Sequence, residues 1–319
     1  MEMLFNVVVI VAGFVMLVKG SDAFVNGSVS IAAKLKLSPI IIGLTVVAFG
    51  TSAPELAVSS IAAWGGSTDI AIGNVVGSNL FNLIFIMGIC SMMFPMNIKI
   101  SEISRDFWVS VGSTVVLLIL VLIFGSSIPR YASLAMLVVF AGYTAYVVST
   151  AVRSKEVTTV RPADEVATIE VMSLGKSILF AVVGLVVLMI GGQLTVNAAV
   201  SLAYMLGMSE RLVGLTIVAV GTSLPELVTA ISAFKKSQGD IALGLIIGSN
   251  IFNVMFILGI AGSISPLAVT SGTAFDLAIL VLASVVFFIF AKTGGKIVRL
   301  EGAVLVIMFA TYITFAAIG

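Results

Sequence analysis

Apolar residues run along this chain in stretches of about 20, broken by short clusters of Gly, Pro and charge, the pattern of helices that cross a bilayer. Breaking the runs at those clusters predicts ten spans, near residues 4–31, 39–63, 70–93, 107–124, 131–152, 177–205, 212–234, 241–263, 275–291 and 302–318. Lys19 and Asp22 follow the first apolar run where a secretory signal would carry small cleavage-site residues, so that run is read as a retained helix. Only residues 153–172, with Arg161, Pro162, Asp164, Glu165 and Glu170, are polar enough to be a linker.

Composition agrees with the pattern. Of 319 residues 60% are hydrophobic and 10% charged, and the mean hydropathy is +1.25, whereas soluble domains carry about 25% charged residues. There is no histidine and one cysteine, Cys90, which reads as a small buried hydrophobe. Disulfide frameworks, Cys/His zinc sites and histidine acid–base chemistry are therefore excluded. The net charge of +1 gives no reason to expect a nucleic-acid partner; the bilayer itself is the expected surroundings.

Lys and Arg divide unevenly between alternate loops. Lys34, Lys36, Lys99, Arg105, Arg153, Lys155, Arg161, Lys176, Lys235, Lys236, Lys292, Lys296 and Arg299 fall on one side, against Arg130 and Arg211 on the other. Basic residues are retained in the cytoplasm, so this distribution places both termini outside the cell membrane.

An internal repeat organises the chain. Shifted by 171 residues, 43–89 aligns with 214–260 without a gap and with 25 of 47 positions identical. Residues 1–152 and 173–319 thus read as two five-helix repeats. Five is odd, so the second repeat threads the bilayer upside down, and equivalent residues meet near the midplane. The expected fold is an all-α membrane protein of ten transmembrane helices in two inverted repeats.

Glu55 and Glu226 occupy equivalent positions deep in apolar spans, where an unpaired charge costs several kcal/mol and marks a cavity or pathway. Each calls for a cation or a proton. Ala48, Thr51 and Ser52 lie seven, four and three positions before Glu55, as Ala219, Thr222 and Ser223 do before Glu226, so each set shares a helix face. Pro54 and Pro225 each release a carbonyl about one turn earlier, near Gly50 or Gly221. The second motif of each half adds Ser78 with Asn82 and Ser249 with Asn253, each pair four apart on one face. Gly73, Gly77, Gly244 and Gly248 have the spacing for close packing against the kinked helix.

Two carboxylates, hydroxyls, amide oxygens and carbonyls, without imidazole or thiolate, make a site for hard cations. Calcium suits this flexible all-oxygen set better than magnesium, and two glutamates neutralise one divalent charge. Sodium could occupy the same oxygens, and mutually exclusive occupancy would couple the two fluxes.

GTSAPE (50–55) and GTSLPE (221–226), each followed by GSN-x-FN (77–82 and 248–253), resemble the alpha repeats of sodium/calcium exchangers in the cation/calcium antiporter superfamily, of the prokaryotic type without regulatory domains. The resemblance implies a secondary antiporter rather than an enzyme, working as a monomer without a cofactor, with Ca2+ and Na+ as transported ions. It assigns ion ligation to Glu55, Glu226, Ser52, Ser223, Thr51, Thr222, Ala48, Ala219, Ser78, Ser249, Asn82 and Asn253, the Ala and Thr residues mainly through backbone carbonyls. It further implies that the first and sixth spans slide past the others as the gate.

Potassium-dependent relatives carry Asp where this chain has Asn253, which argues against potassium co-transport. Proton/calcium relatives carry a different acidic signature in place of GTS-x-PE, which favours sodium over protons. A proton-coupled calcium or other cation antiporter is the alternative, because two glutamates can also carry protons. An intramembrane hydrolase lacks a histidine, a mid-membrane Asp pair and a Ser/Lys partnership.

Overall fold

The computed structural model describes residues 1–94, 96–97, 100–153, 171–208 and 219–318. In chain order the first six helices are α1 (Glu2–Leu35), α2 (Pro39–Thr51), α3 (Ala53–Trp64), α4 (Thr68–Met93), α5 (Ile100–Phe124) and α6 (Arg130–Arg153). They are followed by α7 (Leu174–Met205), α8 (Ala219–Thr222), α9 (Leu224–Lys235), α10 (Gly239–Ile264), α11 (Thr273–Gly294) and α12 (Arg299–Ile318). Among the described residues eight helices are long and apolar enough to cross a membrane, and α2 with α3, bent by 47°, makes a ninth. The expected span at 212–234 begins outside the described residues, which contain its α8 and α9. Most of the expected linker, 154–170, also lies outside them.

Helix starts fall earlier than the hydropathy pattern predicts, most of all at α5. α5 begins at Ile100 rather than near 107, so Arg105, assigned to a loop by the charge pattern, is helical. Its guanidinium donates to both Asp106 carboxylate oxygens, at 2.9 and 2.8 Å, and lies over the Tyr146 ring, so its charge is compensated without a loop. α12 likewise starts at Arg299, and its first turn is capped by Glu301 accepting from the Val298 N–H.

The helices form a buried centre and an outer layer. α4 and α10 carry the repeated GSN-x-FN segments and are 78% and 89% buried over their most apolar stretches, against 17% for α1, α6 and α12. On α10 the close packing expected of Gly244 and Gly248 is present: a Cβ on Gly248 would stand 2.6 Å from the Leu44 carbonyl oxygen of α2. No described atom comes within 4 Å of a Cβ placed on Gly73 or Gly77. The segment repeat-related to the first part of α2 lies outside the described residues.

α1 and α7 run side by side through a seam of small residues. Gly13 meets Gly191 and Thr195, Gly20 meets Gly184 and Leu188, and Gly27 meets Ser177 and Ala181. The seven-residue spacing keeps one stripe of each helix turned to the other, and glycine lets the backbones touch.

Short antiparallel bridges join the two halves. Met96 and Asn97 pair with Ile297 and Lys296, and Ser127 and Ile128 pair with Ala268 and Leu267. Matching side-chain ties hold the outer helices: the Tyr143 hydroxyl donates to Asp106 at 2.9 Å, and the Tyr312 hydroxyl donates to Asp276 at 3.2 Å.

Candidate cation site

The chain breaks helix at the two serines that precede the Pro-Glu pairs. Ser52 (φ −83°, ψ 8°) separates α2 from α3, and Ser223 (φ −91°, ψ 8°) separates α8 from α9. Proline has no N–H and a fixed φ suited to a first helical turn, so Pro54 and Pro225 start new helices instead of merely kinking old ones. The single continuous face expected for Ala48, Thr51, Ser52 and Glu55 is therefore divided between two helices. Glu55 and Glu226 fall in the first turns of α3 and α9, where the helix dipole favours a carboxylate anion.

The acids are bound crosswise between halves. Ser52 Oγ donates to Glu226 Oε1 at 3.0 Å, and Ser223 Oγ donates to Glu55 Oε1 at 3.1 Å. Ser223 Oγ also lies 3.1 Å from Ser78 Oγ of α4. Both serines and both glutamates are at most 1% exposed, and among the described residues no Lys or Arg nitrogen is within 4.0 Å of either carboxylate. Two buried acids without a basic partner are costly unless a cation or protons occupy the site.

Asn82 and Asn253 sit in π-helical turns, Phe81–Ile86 and Phe252–Ile257, at matched positions of α4 and α10. Such one-turn widenings are frequent at functional sites because they redirect side chains. Asn82 Nδ2 donates to Asn250 Oδ1 (3.3 Å), and Asn253 Nδ2 donates to Asn79 Oδ1 (3.0 Å). Asn79 and Asn250 are themselves held, since each Nδ2 donates to the other's backbone carbonyl at 3.1 and 3.4 Å. With both amide nitrogens spent across the halves, the Oδ1 atoms of Asn82 and Asn253 are left without partners. Glu55 Oε2, Glu226 Oε2 and Ser249 Oγ share that condition. Five buried oxygens lacking a donor are thus found on residues expected to ligate ions, and the described residues hold no cluster of three or more His, Cys, Asp or Glu.

The remaining expected ligands are the Ala and Thr residues, assigned mainly to backbone carbonyls. Thr51 Oγ1 donates to the Val47 and Ala48 carbonyls at 3.1 and 3.3 Å, so its hydroxyl serves its own helix. Ala48 is buried, and its carbonyl also accepts the Ser52 N–H at 3.1 Å. Thr222 is 8% exposed beside Ser223, and Ala219 opens α8.

A family model described as sodium/calcium exchanger protein matches residues 5–149 and 176–318. The chain belongs to the sodium/calcium exchanger family. Putative antiporter CaxA of Alkalimonas amylolytica is 36% identical, covering 97% of this chain and 98% of that protein. Sodium/calcium exchanger MaX1 of Methanosarcina acetivorans is 33% identical over 97% of each. The fold is similar to that of the sodium-calcium exchanger NCX_Mj soaked with Na+ and Ca2+, with a TM-score of 0.83 at 28% identity over 97% of this chain and 98% of that one.

For this exchanger-family chain the sequence reading missed Asn79 and Asn250. Both are identical between repeats, and both precede the recognised amides by three residues, a spacing that places them on the adjoining helix face. The repeat alignment therefore held a signal for them. It held none for their role as clamps, because only tertiary pairing shows where an amide nitrogen is directed.

Proposed function

We propose that the protein is a secondary active antiporter exchanging sodium for calcium by alternating access. The observation that carries this reading is the crossed Ser52–Glu226 and Ser223–Glu55 pairing beside five donor-less oxygens. Ionised carboxylates and amide oxygens are pure acceptors, and a cation supplies what they lack. Calcium, accepting six to eight oxygens in flexible geometry, fits a set contributed by four helix ends and two π turns.

Glu55 and Glu226 supply the countercharge, Ser52, Ser223, Ser78, Ser249, Asn82 and Asn253 supply neutral side-chain oxygens, and Ala48, Ala219, Thr51 and Thr222 supply carbonyls. One dication or several sodium ions discharge the pair of acids, and exclusion of one by the other couples the fluxes. That the relatives MaX1 and NCX_Mj are named as sodium/calcium exchangers supports the choice of ions.

The topology we propose has ten spans in two inverted repeats, with α8, Ser223 and α9 belonging to the seventh. Both termini lie outside the cell membrane. The α1–α7 pair slides past the remaining helices to expose the site alternately. In support, the bridged loops at 96–97 and 296–297 are both on the basic, cytoplasmic side, and those at 127–128 and 267–268 are both on the other.

The test is 45Ca2+ uptake by proteoliposomes of the monomer under sodium, potassium and proton gradients imposed one at a time. Uptake driven by sodium with the proton gradient collapsed is expected. Uptake that follows the proton gradient alone would replace sodium coupling with the proton-coupled alternative.

A further inference from the structure

The halves differ at a contact between α1 and α9. Asp22, on α1, accepts from Ser232 Oγ of α9 at 2.6 Å, and Lys236, which follows α9, lies 3.2 Å from the same carboxylate oxygen. Applying the 171-residue shift to these residues gives Gln193, Ile61 and Gly65. Among the described residues Gln193 bonds along its own helix, donating to Asn197 Oδ1 at 2.7 Å. α1 packs closely along α9, burying Ser232 and Phe234, whereas among the described residues α7 scarcely touches α3. Ile61 and Trp64 of α3 are left 73% and 84% exposed.

We propose that Asp22, Ser232 and Lys236 form a latch that holds the α1–α7 pair against α9 at the cytoplasmic end and so sets the ratio of the two access states. The inference rests on the orientation and sliding motion proposed above. α1 and α7 are joined along their glycine seam, so a restraint on α1 restrains both. Ser232 and Lys236 stand six and ten residues beyond Glu226 on the way to the cytoplasm. That corresponds to roughly 9 to 15 Å at 1.5 Å per residue, too far for them to be ion ligands. The Asp22–Lys236 pair bridges α1 to the end of α9, so it must part for α1 to slide along α9. At the outer end the repeat places Ile61 and Gly65, neither of which can form an ion pair. The two faces of a symmetric machine are thereby made unequal.

The variants are Asp22→Asn, Lys236→Met and the exchanged pair Asp22→Lys with Lys236→Glu. A partly exposed ion pair reinforced by one hydrogen bond is worth about a threefold to tenfold shift in a two-state ratio. The apparent affinity at the face whose competent state is scarce is divided by that state's population. Each single variant is therefore expected to lower the half-saturating calcium concentration at the cytoplasmic face by about threefold to tenfold, while the value at the outer face stays unchanged or rises. The exchanged pair restores the parent values. Equal changes at both faces, or strictly additive effects in a double variant, would overturn the latch.

A second readout does not depend on ion specificity. In a Cys90→Ala background, Thr229→Cys on buried α9 is exposed to a membrane-impermeant thiol reagent on each face in turn. Labelling that accelerates from the cytoplasmic face in the single variants supports the latch even if the parent shows no sodium-driven calcium flux, in which case the ions proposed above are wrong. Acceleration only from the outer face overturns the orientation and leaves the latch standing. Unchanged labelling from both faces overturns the latch.

Discussion

Ser52 of the first repeat hydrogen-bonds the Glu226 carboxylate of the second at 3.0 Å, between positions 174 residues apart in the chain. With its mirror contact from Ser223 to Glu55, it makes each acid depend on the half that does not contain it.

Neutralising either acid should stop exchange. Glu55→Gln and Glu226→Gln each leave one carboxylate facing a dication, a loss of about 3–5 kcal/mol for a broken buried charge pair, over ~100-fold in affinity. The variants remain isosteric and should elute as folded protein on size exclusion. Sodium-driven 45Ca2+ uptake at wild-type rate in either would remove that glutamate from the site.

The clamps should matter nearly as much as the ligands they hold. Asn79→Ala frees Asn253 Nδ2 and Asn250→Ala frees Asn82 Nδ2, and outer-shell partners of metal ligands contribute about 10- to 100-fold to affinity. The expected result is weaker calcium binding by isothermal titration. Titrations indistinguishable from wild type would show that the amides orient themselves.

Asn253→Asp introduces the residue that the sequence resemblance assigns to potassium-dependent exchangers. An aspartate there cannot donate to Asn79 Oδ1, and Asn79 cannot simply rotate because its own nitrogen is held by the Asn250 carbonyl. Two acceptors would face each other in a buried place, at a cost of about 1–3 kcal/mol. Sodium-driven calcium uptake should fall by about tenfold or more, without a gain of potassium dependence. A potassium requirement acquired by this single change would show that the clamp can turn over.

Crowding the seam tests whether α1 and α7 must touch. A Cβ at Gly20 would stand 2.5 Å from the Leu188 nitrogen, so Gly20→Leu forces the backbones apart. Overpacking typically costs about 1–3 kcal/mol, seen as a lowered Tm in detergent. The control is Gly142→Ala on α6, where no described atom lies within 4 Å.

Acid should inhibit. A proton on Glu55 or Glu226 cancels the charge that a cation would otherwise meet, so sodium-driven calcium flux is expected to decline as the pH falls. A flux that rises on acidification would mean that protons act as co-substrates.

Much of this was legible because the repeat shows each candidate ligand twice. Glu55 and Glu226 stand out as acids in apolar runs, and their motifs fix the neighbours. Other features depend on which helices meet. Arg105 looked like a loop residue until Asp106 beside it proved able to neutralise it inside a helix. Gly13, Gly20 and Gly27 carry a seven-residue rhythm in plain view. Its meaning depends on the answering stripe of Ser177, Gly184 and Gly191 on α7, 150 or more positions away.

The paired bridges at 96–97 with 296–297 and at 127–128 with 267–268 make neither half self-sufficient. A solitary repeat would carry two backbone edges with nothing to pair with and an acid with no serine across from it. Severed in the linker, the halves could rebuild the site only by finding each other again.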